Sequence, residues 1–305
     1  MAISRQQLAK ELEPGLNALF GLEYSRYDNQ HAEIFTTESS DRAFEEEVML
    51  SGFAGAPTKQ EGASVVFDQA NEAYTARYTH ETIALAFSIT EEAIEDNLYD
   101  RLAQRYTRAL ARSMSNTKQV KAAQVLNQAQ FTAVTGGDGV PLIANNHPLS
   151  NGGTFSNVLA TAADLNETSL EQALIDIQGF VDERGLKIAL NGRKMIIPKE
   201  LQFTAERLMK STLRTGTADN DINAINNMGM VPEGYRVNNF LTDTDSFFIL
   251  TDVPNGFKHF ERSPIKTALE GDFDTGNVRF KARERYSFGF SDPRCIFGNG
   301  NLPTS

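Results

Sequence analysis

The chain has 305 residues, 40% apolar and 23% charged, with a formal net charge of -11. That length buries a real core in one large or two modest domains, and the acidity argues against sequence-independent nucleic-acid binding or an anionic membrane surface. The lone Cys295 excludes an intrachain disulfide and fits a reducing cytoplasm. The N-terminus lacks the apolar run of a signal peptide and no stretch approaches a membrane span, so a soluble protein that is intracellular when made is expected.

Residues 1–50 hold ten Asp or Glu against four Lys or Arg. A short helix is predicted from Ser4 to Glu13, stopped by Pro14 and Gly15. The rest of this acidic stretch reads as an extended arm that packs on something else. Residues 51–89 read as a hairpin: a tip of small and breaking residues, SGFAGAPTKQEGAS, then two strand-like runs, SVVFDQANEAYTARYT and HETIALAFSIT. Ile83, Leu85 and Phe87 alternate with Thr82, Ala84 and Ala86. Such a hairpin has little core of its own and needs a partner chain.

Thr90 to Asn127 contains neither glycine nor proline and is predicted to be one long helix, with Thr90 as N-cap or Ser88 in a capping box with Glu91. Acidic residues crowd its start and basic ones its end, opposing the macrodipole. Ile94, Leu98, Leu102, Tyr106, Leu110 and Met114 form its apolar stripe. The alternative is two helices broken near Ser113 to Asn116. Residues 134–157 are a Gly- and Asn-rich loop. A second helix runs from Leu165, capped by Asn166 or Thr168, with Leu170, Leu174, Ile177 and Val181 inward and Gly185 as its end. A buried strand, Lys194 to Ile197, is closed by Pro198, and a third helix covers Glu200 to Ser211. Residues 212–234 read as polar loop, and 235–241 and 246–253 as strands. Near the end, Val278, Phe280 and Ala282 alternate with Arg279, Lys281 and Arg283, the sense shifting near Glu284.

Catalytic signatures are missing. His31, His80, His147 and His259 stand in no metal-ligand spacing, and no H-E-x-x-H, G-x-S-x-G, Walker A or G-x-G-x-x-G occurs. His147 reads as a loop residue bonding backbone, Gly136 to Gly139 as a flexible loop, and Asp272 to Gly276 as a turn between strands. Arg279, Lys281, Arg283 and Arg285 form a basic strand face suited to ion pairs within or between subunits. No catalytic residue, metal site or cofactor is expected.

The element order, read with HPLSNGG (147–153), GLKIALNGRKMIIPKELQFTAERLMKS (185–211) and DTGNVRFKARERYSFGFSDPR (274–294), resembles the major capsid proteins of tailed phages, and among them the Mu-type major head subunits. Their fold is the α+β Hong Kong 97 type. The resemblance implies an N-terminal arm (1–49), an extended β-hairpin loop reaching over a neighbour (50–89), a peripheral domain (90–163 and 256–305, with spine helix 90–127) and an axial α/β domain (164–255). It implies a structural, non-enzymatic subunit of a virion capsid, assembled in the host bacterial cytoplasm. Hexamers and pentamers of an icosahedral shell would enclose double-stranded DNA without sequence-specific binding, with portal, scaffold and possible cement proteins as partners and no membrane. Because the chain starts almost at the arm, any scaffold is expected to be a separate protein. The loop tip, Ala56, Pro57, Thr58, Lys59, Gln60 and Glu61, would make inter-subunit contacts. Some relatives cross-link subunits through a lysine on this loop; Lys59 is the only one here, no Asn partner is identified, and the cross-link is not predicted. Two other readings are an encapsulin-like compartment shell and, more distantly, a cytoplasmic α/β enzyme.

Overall fold

The strand with alternating charge near the C-terminus lies inside the longest sheet, and much of the chain is laid on one of its faces. The computed structural model describes residues 5–90, 92, 99–214, 221–272 and 276–300. Helix α1 (Arg5–Ser25) leads through a 3-10 turn (Gln30–Glu33) to β1 (Thr36–Ser39), β2 (Phe44–Leu50), β3 (Glu72–Thr79) and β4 (Glu81–Ile89). Helix α2 (Tyr99–Asn127) is followed by β5 (His147–Pro148), β6 (Thr154–Phe155), α3 (Glu167–Gln178), β7 (Gly192–Ile197), α4 (Gln202–Lys210) and α5 (Ala224–Met228). Strands β8 (Tyr235–Val237), β9 (Phe248–Thr251), β10 (Phe257–Gly271), β11 (Val278–Phe290) and β12 (Ile296–Gly298) complete the chain. One four-stranded sheet has the order β1-β10-β11-β4 and the other β12-β9-β7-β8. The pairs β2-β3 and β5-β6 stand apart from both.

Pro14 and Gly15 do not stop the first helix: α1 continues through both to Ser25. An interior proline costs roughly 3 kcal/mol. Burying Leu16 and Phe20 against Leu110, Met114 and Phe280 offsets that, at about 1.5–3 kcal/mol per large apolar side chain. The segment after α1 also packs on its own chain, with Phe35 buried and β1 paired in parallel with β10.

The hairpin is real but has different strands. β3 pairs with β2, whereas β4 pairs with β11. Only His80 separates β3 from β4, and the tightest common hairpin needs a two-residue loop, so the chain steps from one sheet to the next. His80 is buried at that step, with its ring nitrogens 2.8 Å from Ser40 Oγ and 3.0 Å from Ser287 Oγ.

Helix α2 is unbroken through 113–116 and ends at Asn127 as expected, its 29 residues spanning about 43 Å. Residues 91 and 93–98 lie outside the description, and with them the predicted start. Of the expected stripe, Leu110 and Met114 are buried, Tyr106 is not, and the side chains of Ile94, Leu98 and Leu102 lie outside the description; the buried face is wider than the stripe. It comprises Ala103, Thr107, Leu110, Ala111, Met114, Ser115, Gln119, Ala122, Ala123 and Leu126, while Tyr106 is 49% exposed. Small side chains dominate that face, so the helix axis can lie close to the sheet. On β11 the alternation does not shift at Glu284, which points inward with Phe280, Ala282 and Tyr286 and is buried.

Around β7 a second core gathers Leu170, Leu174, Ile177, Met195, Ile197, Phe247, Ile249 and Phe297. Asn166 caps α3 in a reciprocal box with Ser169, which satisfies two orphan amides. That helix ends at Gly179, not Gly185. Gly185 occupies a later turn (φ 83°), because Val181 leaves the helix to bridge Lys187. Within 212–234 the structure adds α5, capped by Asn223 and closed by left-handed Gly229 (φ 61°).

Candidate assembly surface

Between β2 and β3 the chain leaves the body, and residues 53–71 are exposed throughout. The predicted contact residues Ala56, Pro57, Thr58, Lys59, Gln60 and Glu61 all lie here, and Gly62 (φ 78°) turns the chain after them. Asp68 anchors the stem by accepting from Ala54 N at 2.7 Å and from Arg184 Nη2 at 3.0 and 3.1 Å. Sequence reasoning missed the apolar residues of this loop. Phe53, Val65, Val66 and Phe67 are 61%, 64%, 68% and 94% exposed. Apolar side chains clustered in the open mark interaction sites more often than accident. The signal was the unalternating run Val65-Val66-Phe67, which pairs with no strand among the described residues.

The base of the hairpin is fixed rigidly. Glu47 on β2 accepts from Lys258 and from Ser291, and Lys258 also meets Glu38 at 2.9 Å. The Tyr78 ring stands edge-on to Phe260, with centroids 4.8 Å apart. A Cβ on Gly289 would lie 2.7 Å from that tyrosine ring, and one on Gly137 would lie 2.7 Å from the Thr75 carbonyl oxygen. Only glycine lets the body approach the hairpin this closely.

Loop 134–157 is pinned where flexibility was expected. His147 is fully buried and bonds the Asp138 carboxylate, with Nδ1 2.6 Å from Oδ2. It therefore bonds a side chain, not backbone, and it stacks on Phe155 at 4.8 Å. Arg294 lies over the same phenylalanine, 4.3 Å from the ring centroid, and pairs with Glu183 and Asp292. The turn after β10 is as expected: Asp272 N donates to Asn277 O and Gly276 N to Asp272 O, with 273–275 outside the description.

The arm is held through a second polar junction. His31 and His259, far apart in sequence, meet edge-on at 5.4 Å, and both pack on Phe288. Burial, with Lys118 adding to it, lowers their pKa values to about 4 and about 3. Nearby Glu284 is raised by burial against the pull of Lys118, 3.5 Å away, and Tyr24 donates to it. In the unfolded chain each histidine takes a proton below about pH 6.5; in the folded chain neither does until about pH 4 or 3. Stability from these neutral rings is present above pH 6.5 and lost as pH falls toward 4. Glu284 acts oppositely, since the fold holds its proton more readily than the unfolded chain does. We expect wild type to melt progressively lower from pH 6.5 to 4, and a His31→Gln/His259→Gln variant to show a clearly shallower decline by circular dichroism. Equal slopes would show that the pair is not what titrates.

A hairpin standing off a long helix and sheet, beside a second α/β layer, defines a shell-building subunit of the Hong Kong 97 fold type. The phage capsid protein family model matches residues 73–299, and the chain belongs to that family as a phage capsid protein. The fold is similar to a solved structure from Microbacterium phage Oxtober96 (10% identity, TM-score 0.52, 92% of each chain covered). It is also similar to the procapsid of bacteriophage JBD30 (15%, 0.50, 97% of this chain and 75% of that one). A virus-like particle from Pyrococcus furiosus (10%, 0.50, 94% and 98%) shares it as well. No curated protein matches.

Proposed function

We propose that this capsid protein is the structural subunit of the icosahedral head of a tailed double-stranded DNA phage, and that its loop reaches a neighbouring subunit. Hexamers and pentamers of it would enclose DNA without reading sequence, with portal, scaffold and cement proteins as partners and assembly in the host cytoplasm. In this reading residues 1–49 are the arm. Residues 90–163, with the spine helix, and 256–305 form the peripheral part, although β12 joins the sheet of the axial part, 164–255. Its mechanism is assembly, not catalysis. One observation carries the reading: the loop exposes Phe53 and Val65 to Phe67 to solvent while its base is locked to the body. Burying them on a neighbour removes apolar area that the monomer cannot cover.

Replacing Ala56 to Glu61 by a short Gly-Ser turn tests it. The monomer should melt within about 0.5 kcal/mol of wild type, as exposed substitutions do. Shell formation seen by electron microscopy should be lost, because each interface defect recurs at every equivalent contact. Normal shells from the variant would remove the tip from the interface.

A further inference from the structure

Strand β11 has two unlike faces. Phe280, Ala282 and Glu284 are buried on the side covered by α1 and α2, while Arg279, Lys281 and Arg283 are exposed on the other. The ladder puts Arg283 directly opposite Lys266 on β10 and Ala84 on β4. Lys281 stands between Ala268 and Ala86. Alternate residues of a strand are about 6.7 Å apart, so Lys266, Lys281 and Arg283 form one flat patch with alanines for a floor. Arg279 has a counter-ion in Asp272. Lys266, Lys281 and Arg283 have none among the described residues, and Arg285 Nε, next in the row, is enclosed without a hydrogen-bond partner.

Like charges directly opposite on neighbouring strands destabilise the subunit that carries them. Nothing among the described residues offsets the Arg283–Lys266 pair, which leaves the face open to a counter-charge from outside. The rest of the molecule indicates its source. With a net charge of -11, another copy approaches as a polyanion. Each copy also displays exposed carboxylates that its own described residues leave unpaired, Glu61 and Glu72 among them. We propose that this basic sheet face takes carboxylates of a second copy of the chain and sets the register between neighbouring subunits. The inference rests on the shell reading above. Complementary charges of this kind steer encounter and fix register more than they add raw affinity.

The test uses the full chain with Lys281→Glu/Arg283→Glu, and separately Lys266→Glu; Lys281→Gln/Arg283→Gln serves if the reversal does not fold. Melting of the unassembled subunit should not fall, and should rise slightly for either reversal, because Arg283→Glu would face Lys266 and Lys266→Glu would face Arg283 across the ladder. In sedimentation velocity the concentration for half self-association should rise roughly tenfold or more. Raising NaCl from about 0.05 M to about 0.5 M should weaken wild-type association and leave the variants nearly flat. Wild-type association and salt response in the variants would overturn the proposal. So would intact association with lost binding to a fluorescent DNA duplex, which would assign the face to phosphates. If wild type self-associates with this salt response yet never closes shells in electron micrographs, the shell reading fails and the contact stands.

Discussion

Arg294→Ala should leave little soluble protein. Arg294 is 2% exposed; it donates to Glu183 at 2.8 Å, to Asp292 at 3.2 Å and to the Val181 carbonyl at 2.6 Å. Truncation strands two carboxylates, 3% and 8% exposed, without their cation. Breaking a buried pair in this way costs about 3–5 kcal/mol, a large share of the roughly 5–15 kcal/mol that holds a domain together. Soluble yield and thermal melting read the effect, with a loss of roughly 10 °C expected in whatever folds. Arg294→Lys should fall between, because lysine keeps the charge but not the planar fork that serves three acceptors. A melt of Arg294→Ala near wild type would mean the network is dispensable. The same side chain ties the 181–183 segment, the 134–157 loop and the start of β12 together, so its loss should loosen the sheet that β12 edges.

The spine gives the second large effect, and a contrast within one turn. Leu110 is 4% exposed among Leu16, Phe20 and Phe280, whereas Tyr106 is half exposed and touches Phe87 at 5.7 Å. Leu110→Asp buries an unpaired carboxylate and should cost roughly 3 kcal/mol or more. Tyr106→Asp loses one tilted ring contact and should cost about 0.5–1.5 kcal/mol. Urea denaturation ranks the two. The opposite order would mean that Tyr106, not Leu110, faces the core.

The difference between the expected stripe and the observed face shows where sequence reading stopped. A period of four picks out the largest apolar residues, and Tyr106 is one. Leu110 and Met114 of that stripe are buried, but beside them the sheet selected Ala103, Ala111, Ala122 and Ala123, since close approach of helix and sheet favours small side chains over large ones. Composition and punctuation determined the long helix to Asn127, a cap at Asn166 or Thr168, the strand closed by Pro198, the exposed tip at Ala56 to Glu61 and the alternation of β11 through Ala282. These are local properties: propensity, caps and turns act within a few residues. Tertiary structure decided the rest. It carried α1 past Pro14, separated β3 from β4 at His80 and brought His31 to His259. It also put Glu284 and Arg294 in the interior with their partners. Each of these is settled by burial or pairing with residues far away in the chain, as with Glu183 for Arg294, and no short window of sequence contains those partners.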